Sequence, residues 1–156
     1  MPEPAALAEK LKTEGEKLGA YFGALDEHAW NADVYTEGAT WTVRAVLAHL
    51  VTAERAFVRL FESICEGGMG VSEDFSIDRY NARQQEKSRD LLPAELLAQF
   101  RVVRADMVAF VSGLQDADLE RIGRHPFLKE TSLREMIKMV YLHNQMHLRD
   151  LKRVLG

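Results

Sequence analysis

The feature that most constrains the fold is a helical repeat of apolar residues in four long stretches of the chain. In each stretch, apolar side chains recur every three or four residues, so that they form one stripe on a helix. The stretches run from Leu7 to Leu25, from Val43 to Ile64, from Leu96 to Leu114 and from Leu133 to Leu155. No stretch alternates with the period of two that a half-buried strand requires, so we expect no strands. The pattern predicts an all-α fold, specifically a four-helix bundle.

Residues at the ends of these stretches are typical of helix boundaries. Thr42 can cap the second helix, and Pro93 suits the first turn of the third. The segment Ser132-Leu-Arg-Glu135 has the form of a capping box at the start of the fourth. The glycine-rich run Gly67-Gly68-Met69-Gly70 is expected to end the second helix.

The connections between the helices are unequal, and this inequality predicts their order. About 25 residues separate the second helix from the third, which is long for a loop in a compact domain. Within this connection, the segment from Ile77 to Arg89 can form a short extra helix. A link of that length can cross the whole bundle, so that the second and third helices run parallel in an up-down-down-up order. We expect one domain that spans residues 1–156.

Composition sets further expectations about partners and compartment. Charged residues make up 28% of the chain and the net charge is −4, whereas nucleic-acid binding typically requires a clustered basic face, so we expect no nucleic-acid partner. The single cysteine, Cys65, allows no intrachain disulfide and suits a reducing compartment. No run of about 18 apolar residues could span a membrane. The first residues lack the apolar segment of a secretory signal, so we expect a cytoplasmic protein without a membrane partner.

Three of the five histidines lie on or beside the apolar stripes. His143 and His147 are four residues apart on the fourth helix, which places them about 6 Å apart along its axis and on one face. His49 lies at the edge of the stripe on the second helix. Its neighbours one turn away, Ala45 and Ala53, are small and leave room beside it. We predict that the three imidazoles converge on one divalent metal ion.

A simpler interpretation applies to each histidine taken alone. A histidine that faces a core is commonly a neutral, hydrogen-bonded packing residue. The pair at i and i+4 is harder to explain in this way, because each ring has two nitrogens and burying one without a partner costs about 1–3 kcal/mol. His28, in a polar segment, and His125, directly before Pro126, are expected to be solvated or to fix loops rather than to bind metal.

Three imidazole ligands would favour some metals and reactions over others. They suit zinc or nickel, with iron as a further candidate, better than magnesium or calcium. Three protein ligands leave a coordination position open for water or substrate. The metal could then deprotonate a small thiol that attacks an electrophile, or activate water to attack an ester or amide. The residues alone do not choose between these reactions, nor do they establish that the protein is an enzyme.

Three polar residues interrupt the apolar stripes and are candidates for supporting roles. Glu54, Arg104 and Asn144 each lie about eleven residues into a helix, so that they can share one layer of the bundle. They could form a polar network that orients a histidine or binds an anionic substrate. The alternative, which we favour, is an internal ion pair between Glu54 and Arg104 without a catalytic role, because buried charges must pair in either case.

Several of these segments together resemble the DinB-like family. The segments are Trp41 to Leu50 followed by Ala53-Glu54, Asp78-Arg-Tyr-Asn81-Ala-Arg83, His125-Pro126, Ser132 to Glu135, and His143-Asn-Gln-Met-His147-Leu. They occur in order and cover nearly the whole chain. The resemblance implies a four-helix bundle with a long crossover. It also implies a metal site formed by three histidines, which correspond here to His49, His143 and His147.

The resemblance also bears on activity and assembly. Members of the family often form dimers, so a homodimer is expected. Several branches are S-transferases that use mycothiol or bacillithiol, including a maleylpyruvate isomerase. The function we predict is therefore a metal-dependent thiol S-transferase that acts on a small electrophile. The alternatives are a metal-dependent hydrolase and a non-catalytic stress protein that binds a metal or a ligand.

Overall fold

A computed structural model describes all residues of the chain, 1–156, and its architecture is a four-helix bundle. The four long helices are α1 (Glu3–Gly23), α2 (Val43–Cys65), α4 (Pro93–Ser112) and α5 (Leu133–Leu155), and a shorter helix, α3 (Ile77–Ser88), lies between α2 and α4. The predicted fold class is confirmed, and so is the extra helix in the crossover. None of the helices combines the length and the apolar character needed to cross a membrane.

Contacts between the helices establish the up-down-down-up order. Along α2 and α4 the contacts advance together, from Arg44, which donates to the carbonyl of Leu91, to Arg55, which donates to Gln99. These two helices are therefore parallel. The start of α2 packs in the same apolar cluster as the end of α5, and the end of α2 packs with the start of α5. Helices α2 and α5 are therefore antiparallel, and His49 on α2 lies level with His143 and His147 in the middle of α5.

The helix boundaries follow the predicted capping chemistry. The hydroxyl of Thr42 accepts a hydrogen bond from the backbone N–H of Ala45 at 3.2 Å, and α2 begins at Val43. The hydroxyl of Ser132 accepts from the N–H of Glu135 at 3.3 Å. These bonds satisfy N–H groups that a helix start leaves without a partner.

The structure differs from the sequence expectation in containing two short antiparallel hairpins. Strands β1 (Asp33–Tyr35) and β2 (Trp41–Thr42) form one, and β3 (Ile122–His125) and β4 (Lys129–Ser132) form the other. Strands of two to four residues are too short to produce a recognisable alternation. Each hairpin leads directly into a helix that carries histidines, so that the hairpins are placed beside them.

The crossover lies along α2 and is held at both of its ends. Gln85 on α3 donates a hydrogen bond to the carbonyl of Ala45 at 2.8 Å. Before α3, the backbone of Gly70 runs beside that of Arg124 on β3, and the N–H of Arg124 donates to the carbonyl of Met69 at 2.9 Å. Gly70 has a φ of 94°, and a Cβ there would lie 2.3 Å from the Arg124 nitrogen, so only glycine fits. This pairing draws the crossover over the face formed by α2 and the second hairpin.

The core consists of two apolar clusters that a polar layer separates. One cluster contains Leu18, Phe22 and the start of α2, and the other contains Leu7, Phe61 and the start of α5. Between them lie the buried polar side chains of the middle turns of the helices. These are His49, Thr52, Glu54, Arg104, His143, Asn144 and His147. The candidate site therefore occupies the middle of the bundle.

Candidate metal centre

The three histidines that the sequence predicts to converge on a metal ion lie close together in the structure. The Nε2 atom of His143 lies 3.1 Å from the Nε2 of His49 and 3.0 Å from the Nε2 of His147. The nearest ring nitrogens of all three lie within 4.8 Å of one another. Each residue is no more than 9% exposed. Two helices thus present three imidazole nitrogens to a common point.

Burial keeps the three imidazoles uncharged. It lowers the pKa of His49 to about 3 and that of His143 to about 2, and in both cases nearby His147 contributes further. The pKa of His147 falls to about 4 through burial, against which the carboxylate of Asp150 acts. At neutral pH all three rings are therefore neutral, which is the state that ligates a metal.

Tyr35 and Asp150, which sequence reasoning did not identify, orient the ring of His147. The hydroxyl of Tyr35 donates to Oδ2 of Asp150 at 2.6 Å, and its oxygen lies 2.8 Å from Nδ1 of His147. Burial, together with Asp150, raises the pKa of Tyr35 far above its usual range, so that it remains a phenol. Because its hydrogen is directed to Asp150, the hydroxyl oxygen accepts from Nδ1–H of His147. Nε2 of His147 therefore carries a lone pair that points towards the other two rings.

The donor set fits a divalent transition metal. Bonds of about 2.0–2.1 Å at tetrahedral angles place two ligand nitrogens about 3.3 Å apart. The two separations that involve His143, 3.1 and 3.0 Å, are close to that value, and all three pairs lie within 4.8 Å. A metal held there would take one lone pair from each neutral ring, and Tyr35 and Asp150 supply the hydrogen-bonded support that such ligands usually have.

A cavity of about 450 Å³ opens beside the histidines. His49 and His143 form part of its wall, whereas most of the remaining wall is apolar. Phe57 on α2 and Phe127 in the second hairpin lie on one side, and Phe75 and Tyr80 of the crossover also contribute. No Asp, Glu, Lys or Arg side chain lines it. His49 and His143 therefore border a space in which a small molecule can be held among mostly apolar side chains.

Glu54, Arg104 and Asn144 do meet in one layer, as predicted. Nε and Nη2 of Arg104 donate to the two carboxylate oxygens of Glu54 at 2.7 and 2.8 Å. Nη1 donates to the carbonyl of Leu11 at 2.9 Å, and Nη2 also donates to Oδ1 of Asn144. None of these three polar side chains lines the cavity beside the histidines. The arrangement is that of an internal ion pair, and a catalytic role for these residues stays a prediction.

The remaining histidines and the cysteine have other surroundings. His28 is exposed. His125 is buried rather than solvated, and its Nδ1 accepts from the N–H groups of Phe127 and Leu128 at 3.3 and 3.2 Å, which fixes the turn of the second hairpin. Burial raises the pKa of the Cys65 thiol, which leaves it mostly protonated at neutral pH.

Solved structures with the same architecture include three that align with nearly the whole chain. YfiT from Bacillus subtilis, described as a probable metal-dependent hydrolase with an unusual four-helix bundle topology, has a TM-score of 0.76 and 19% identity over 97% of this chain and 85% of its own. An uncharacterised protein from Escherichia coli UTI89 has a TM-score of 0.73 and 16% identity, covering 97% and 91%. The colibactin self-resistance protein ClbS, crystallised in complex with a dsDNA, has a TM-score of 0.72 and 15% identity, covering 96% and 95%.

The complex of ClbS corrects one expectation from the sequence. We expected no nucleic-acid partner from the net charge of −4, but a protein with this fold has been crystallised with double-stranded DNA. The exclusion was wrong because net charge is a sum over the whole surface, whereas contact with DNA depends on the local arrangement of donors and charges.

Sequence comparison gives the family. YuaE, an uncharacterised protein of Bacillus subtilis, is 27% identical over 124 residues, which are 73% of this chain and 76% of YuaE. The sequence model that describes the DinB superfamily matches residues 10–151 of this chain. That match includes all three clustered histidines and confirms the resemblance found in the motifs. The chain belongs to the DinB superfamily.

Proposed function

We propose that this protein is a metal-dependent thiol S-transferase. In this proposal His49, His143 and His147 hold one divalent transition metal, with zinc or nickel as the first candidates and iron as a further one. A low-molecular-weight thiol is the co-substrate and a small electrophile is the substrate. We place the reaction in the cytoplasm, where reducing conditions keep such a thiol available.

The observation that carries the proposal is the combination of three neutral imidazoles with a cavity that lacks acid or base carboxylates. Hydrolysis commonly uses a carboxylate or a charged histidine to move protons to and from water and the leaving group. A metal supplies the acidity that makes a thiol lose its proton at neutral pH. S-transfer therefore requires less proton-transfer machinery from the protein than hydrolysis does.

The residues of the chain have separate tasks in this reaction. Tyr35 and Asp150 keep the lone pair of His147 directed at the common point, and the apolar wall holds the electrophile and excludes water. The thiol loses its proton to solvent, and its sulfur forms a bond to the electrophilic carbon. The leaving group departs with the electron pair of the bond that breaks.

A hydrolase is the second candidate, and one finding favours it. YfiT, which shares the fold, is described as a probable metal-dependent hydrolase. In that case water takes the place of the thiol and the same cavity holds an ester or amide. The two candidates differ in whether turnover requires an added thiol.

The test begins with elemental analysis of the purified protein, for which we expect about one transition-metal ion per chain. Turnover is then measured with chlorodinitrobenzene and a panel of thiols that includes cysteine, glutathione, coenzyme A, bacillithiol and mycothiol. Nitrophenyl acetate is assayed without any thiol. His143→Ala serves as the inactive reference, and His28→Ala, which alters an exposed histidine, is the matched control.

Each outcome assigns the function. Thiol-dependent consumption of the electrophile that is lost in His143→Ala supports the transferase. Thiol-independent ester cleavage with the same dependence on His143 supports the hydrolase instead. Bound metal without turnover in either assay contradicts both and leaves a non-catalytic metal-binding protein.

A further inference from the structure

We infer that the cavity beside the histidines selects uncharged, predominantly apolar molecules, so that the electrophile of this enzyme is a neutral hydrophobic compound with one polar reacting group. That the bound molecule is an electrophile rests on the proposed function. The selectivity for uncharged molecules is a property of the cavity and can be measured without turnover. Its basis is the wall, in which 11 of the 15 lining residues are hydrophobic.

Two pairs of aromatic rings line this cavity. Phe57 and Phe127 have ring centroids 6.4 Å apart at an interplanar angle of 78°, and Phe127 lies 6.0 Å from the ring of His143. Phe75 and Tyr80 have centroids 5.7 Å apart. Flat apolar groups gain both area burial and edge-to-face contacts against such rings.

The wall has no side chain that carries a charge, so that away from the end where the metal is proposed to bind nothing balances a charged group. Its polar members are the two imidazoles of His49 and His143, the hydroxyl of Tyr80 and the amide of Asn81. Burying a carboxylate or sulfonate without a cation costs several kcal/mol in effective terms, and a buried ammonium without a carboxylate is equally unfavourable. Molecules of the same size whose charge lies among the apolar side chains, away from the proposed metal ion, are therefore disfavoured.

The polar wall groups determine how a neutral molecule lies. His49 and His143 are at the end where the metal is proposed to bind, so the reacting polar group belongs there and the apolar body lies against the aromatic rings. Charged portions of a small thiol would have to remain at the mouth of the cavity. The cavity is consequently the site of the electrophile rather than of the thiol.

The first experiment compares two fluorescent probes that differ by one charged group, N-phenylnaphthylamine and anilinonaphthalene sulfonate. Binding is measured by fluorescence on the purified protein and again after removal of metal with a chelator. We expect the neutral probe to bind at least about tenfold more tightly than the sulfonate in the metal-free protein, because the sulfonate has no partner. Equal or tighter binding of the sulfonate would overturn the inference.

The second experiment adds a cation to the wall. Met146 lines the cavity from α5 and is 43% exposed, whereas Leu142, one turn earlier, is 46% exposed and does not line it. Met146→Lys is expected to tighten binding of the sulfonate by about tenfold, since the ammonium provides its partner. Leu142→Lys is the matched control and should change binding of either probe by less than about twofold. An equal response to both substitutions would place the probes outside the cavity.

A second pair of variants tests the cavity without introducing a charge, so that the test does not depend on the folding of Met146→Lys. Ala56→Leu fills the cavity from α2 and should weaken the neutral probe, whereas Ala98→Leu on the exposed face of α4 should not. Unchanged binding in Ala56→Leu contradicts the inference. Because these readouts need neither metal nor turnover, absence of metal or of thiol transfer would refute the proposed function and leave the selectivity standing.

Discussion

Two buried polar clusters lie side by side in the middle of this bundle, and they differ in how their hydrogen-bonding groups are satisfied. In one, Arg104 directs its N–H groups to Glu54, Asn144 and the carbonyl of Leu11, so that charges and donors are balanced internally. In the other, the histidines direct ring nitrogens at one another, with at most one hydrogen on each neutral ring.

This contrast indicates how a structural cluster can be distinguished from a ligand-binding cluster when both are buried. The Arg104 cluster is complete without any added group, and none of its charged side chains faces the cavity. The histidine cluster has lone pairs that need an added metal ion or hydrogen-bond donor to be satisfied fully, and it opens onto that cavity. Burial and polarity are common to both, so the direction of the unused lone pairs is the informative feature.

The largest effect is expected from removing one member of the histidine cluster. His143→Ala deletes the nitrogen that lies within 3.1 Å of both partners, so stoichiometric metal should be lost. Metal content by elemental analysis and helicity by circular dichroism provide the check. Full metal content in this variant, with His28→Ala behaving as wild type, would show that the two clusters do not differ in the way described.

Breaking the other cluster should affect stability and leave metal binding in place. Glu54→Ala leaves the cation of Arg104 buried and unpaired, which costs about 3–5 kcal/mol of unfolding free energy. In the double variant Glu54→Leu with Arg104→Met, much of that loss should be regained. Urea denaturation measures both, and metal affinity of the double variant should remain within about twofold. If the double variant is stable but binds no metal, metal binding by the histidines depends on the Glu54–Arg104 cluster.

An intermediate effect is expected from the hydrogen bond that orients His147. Tyr35→Phe removes the acceptor of Nδ1–H while it keeps the aromatic ring beside Trp41. Loss of such a supporting bond typically weakens metal affinity by about 10–100-fold. Competition with a chromogenic chelator gives the affinity. If affinity is unchanged while Asp150→Asn reduces it, the carboxylate rather than the phenol orients the ring.

The smallest effect concerns His125, a buried histidine outside the cluster. Burial lowers its pKa from 6.5 to about 4, so below about pH 6.5 the unfolded chain binds a proton that the folded chain does not. The unfolding free energy should therefore fall as the pH drops from 6.5 towards 4. His125→Asn, whose side-chain oxygen can accept the bonds of the turn, should reduce this fall by up to about 1.4 kcal/mol per pH unit. Denaturation of the metal-free protein at several pH values measures it, and equal slopes would show that His125 does not contribute to the acid sensitivity.

Much of the fold and part of the site could be predicted because the relevant signals are local. Helical periodicity over about twenty residues reports which side chains share a face, and Thr42 and Ser132 mark helix starts through bonds to residues three positions away. The pair His143 and His147 is likewise defined by a spacing of one helical turn. The hairpins could not be predicted in this way, because strands of two to four residues are too short to show an alternation of apolar and polar side chains.

Four amphipathic helices, a long crossover and two core-facing histidines on one helix follow from the order of the amino acids without any structure. The packed fold was needed to show that His49 meets them and that Tyr35 supports His147 from 112 residues away. It also shows that Glu54 and Arg104 do not line the cavity. The physical reason is that periodicity describes one helix at a time, whereas a shared point between helices depends on their relative rotation and depth. Those are set by the packing of all the side chains between them, which no local pattern records.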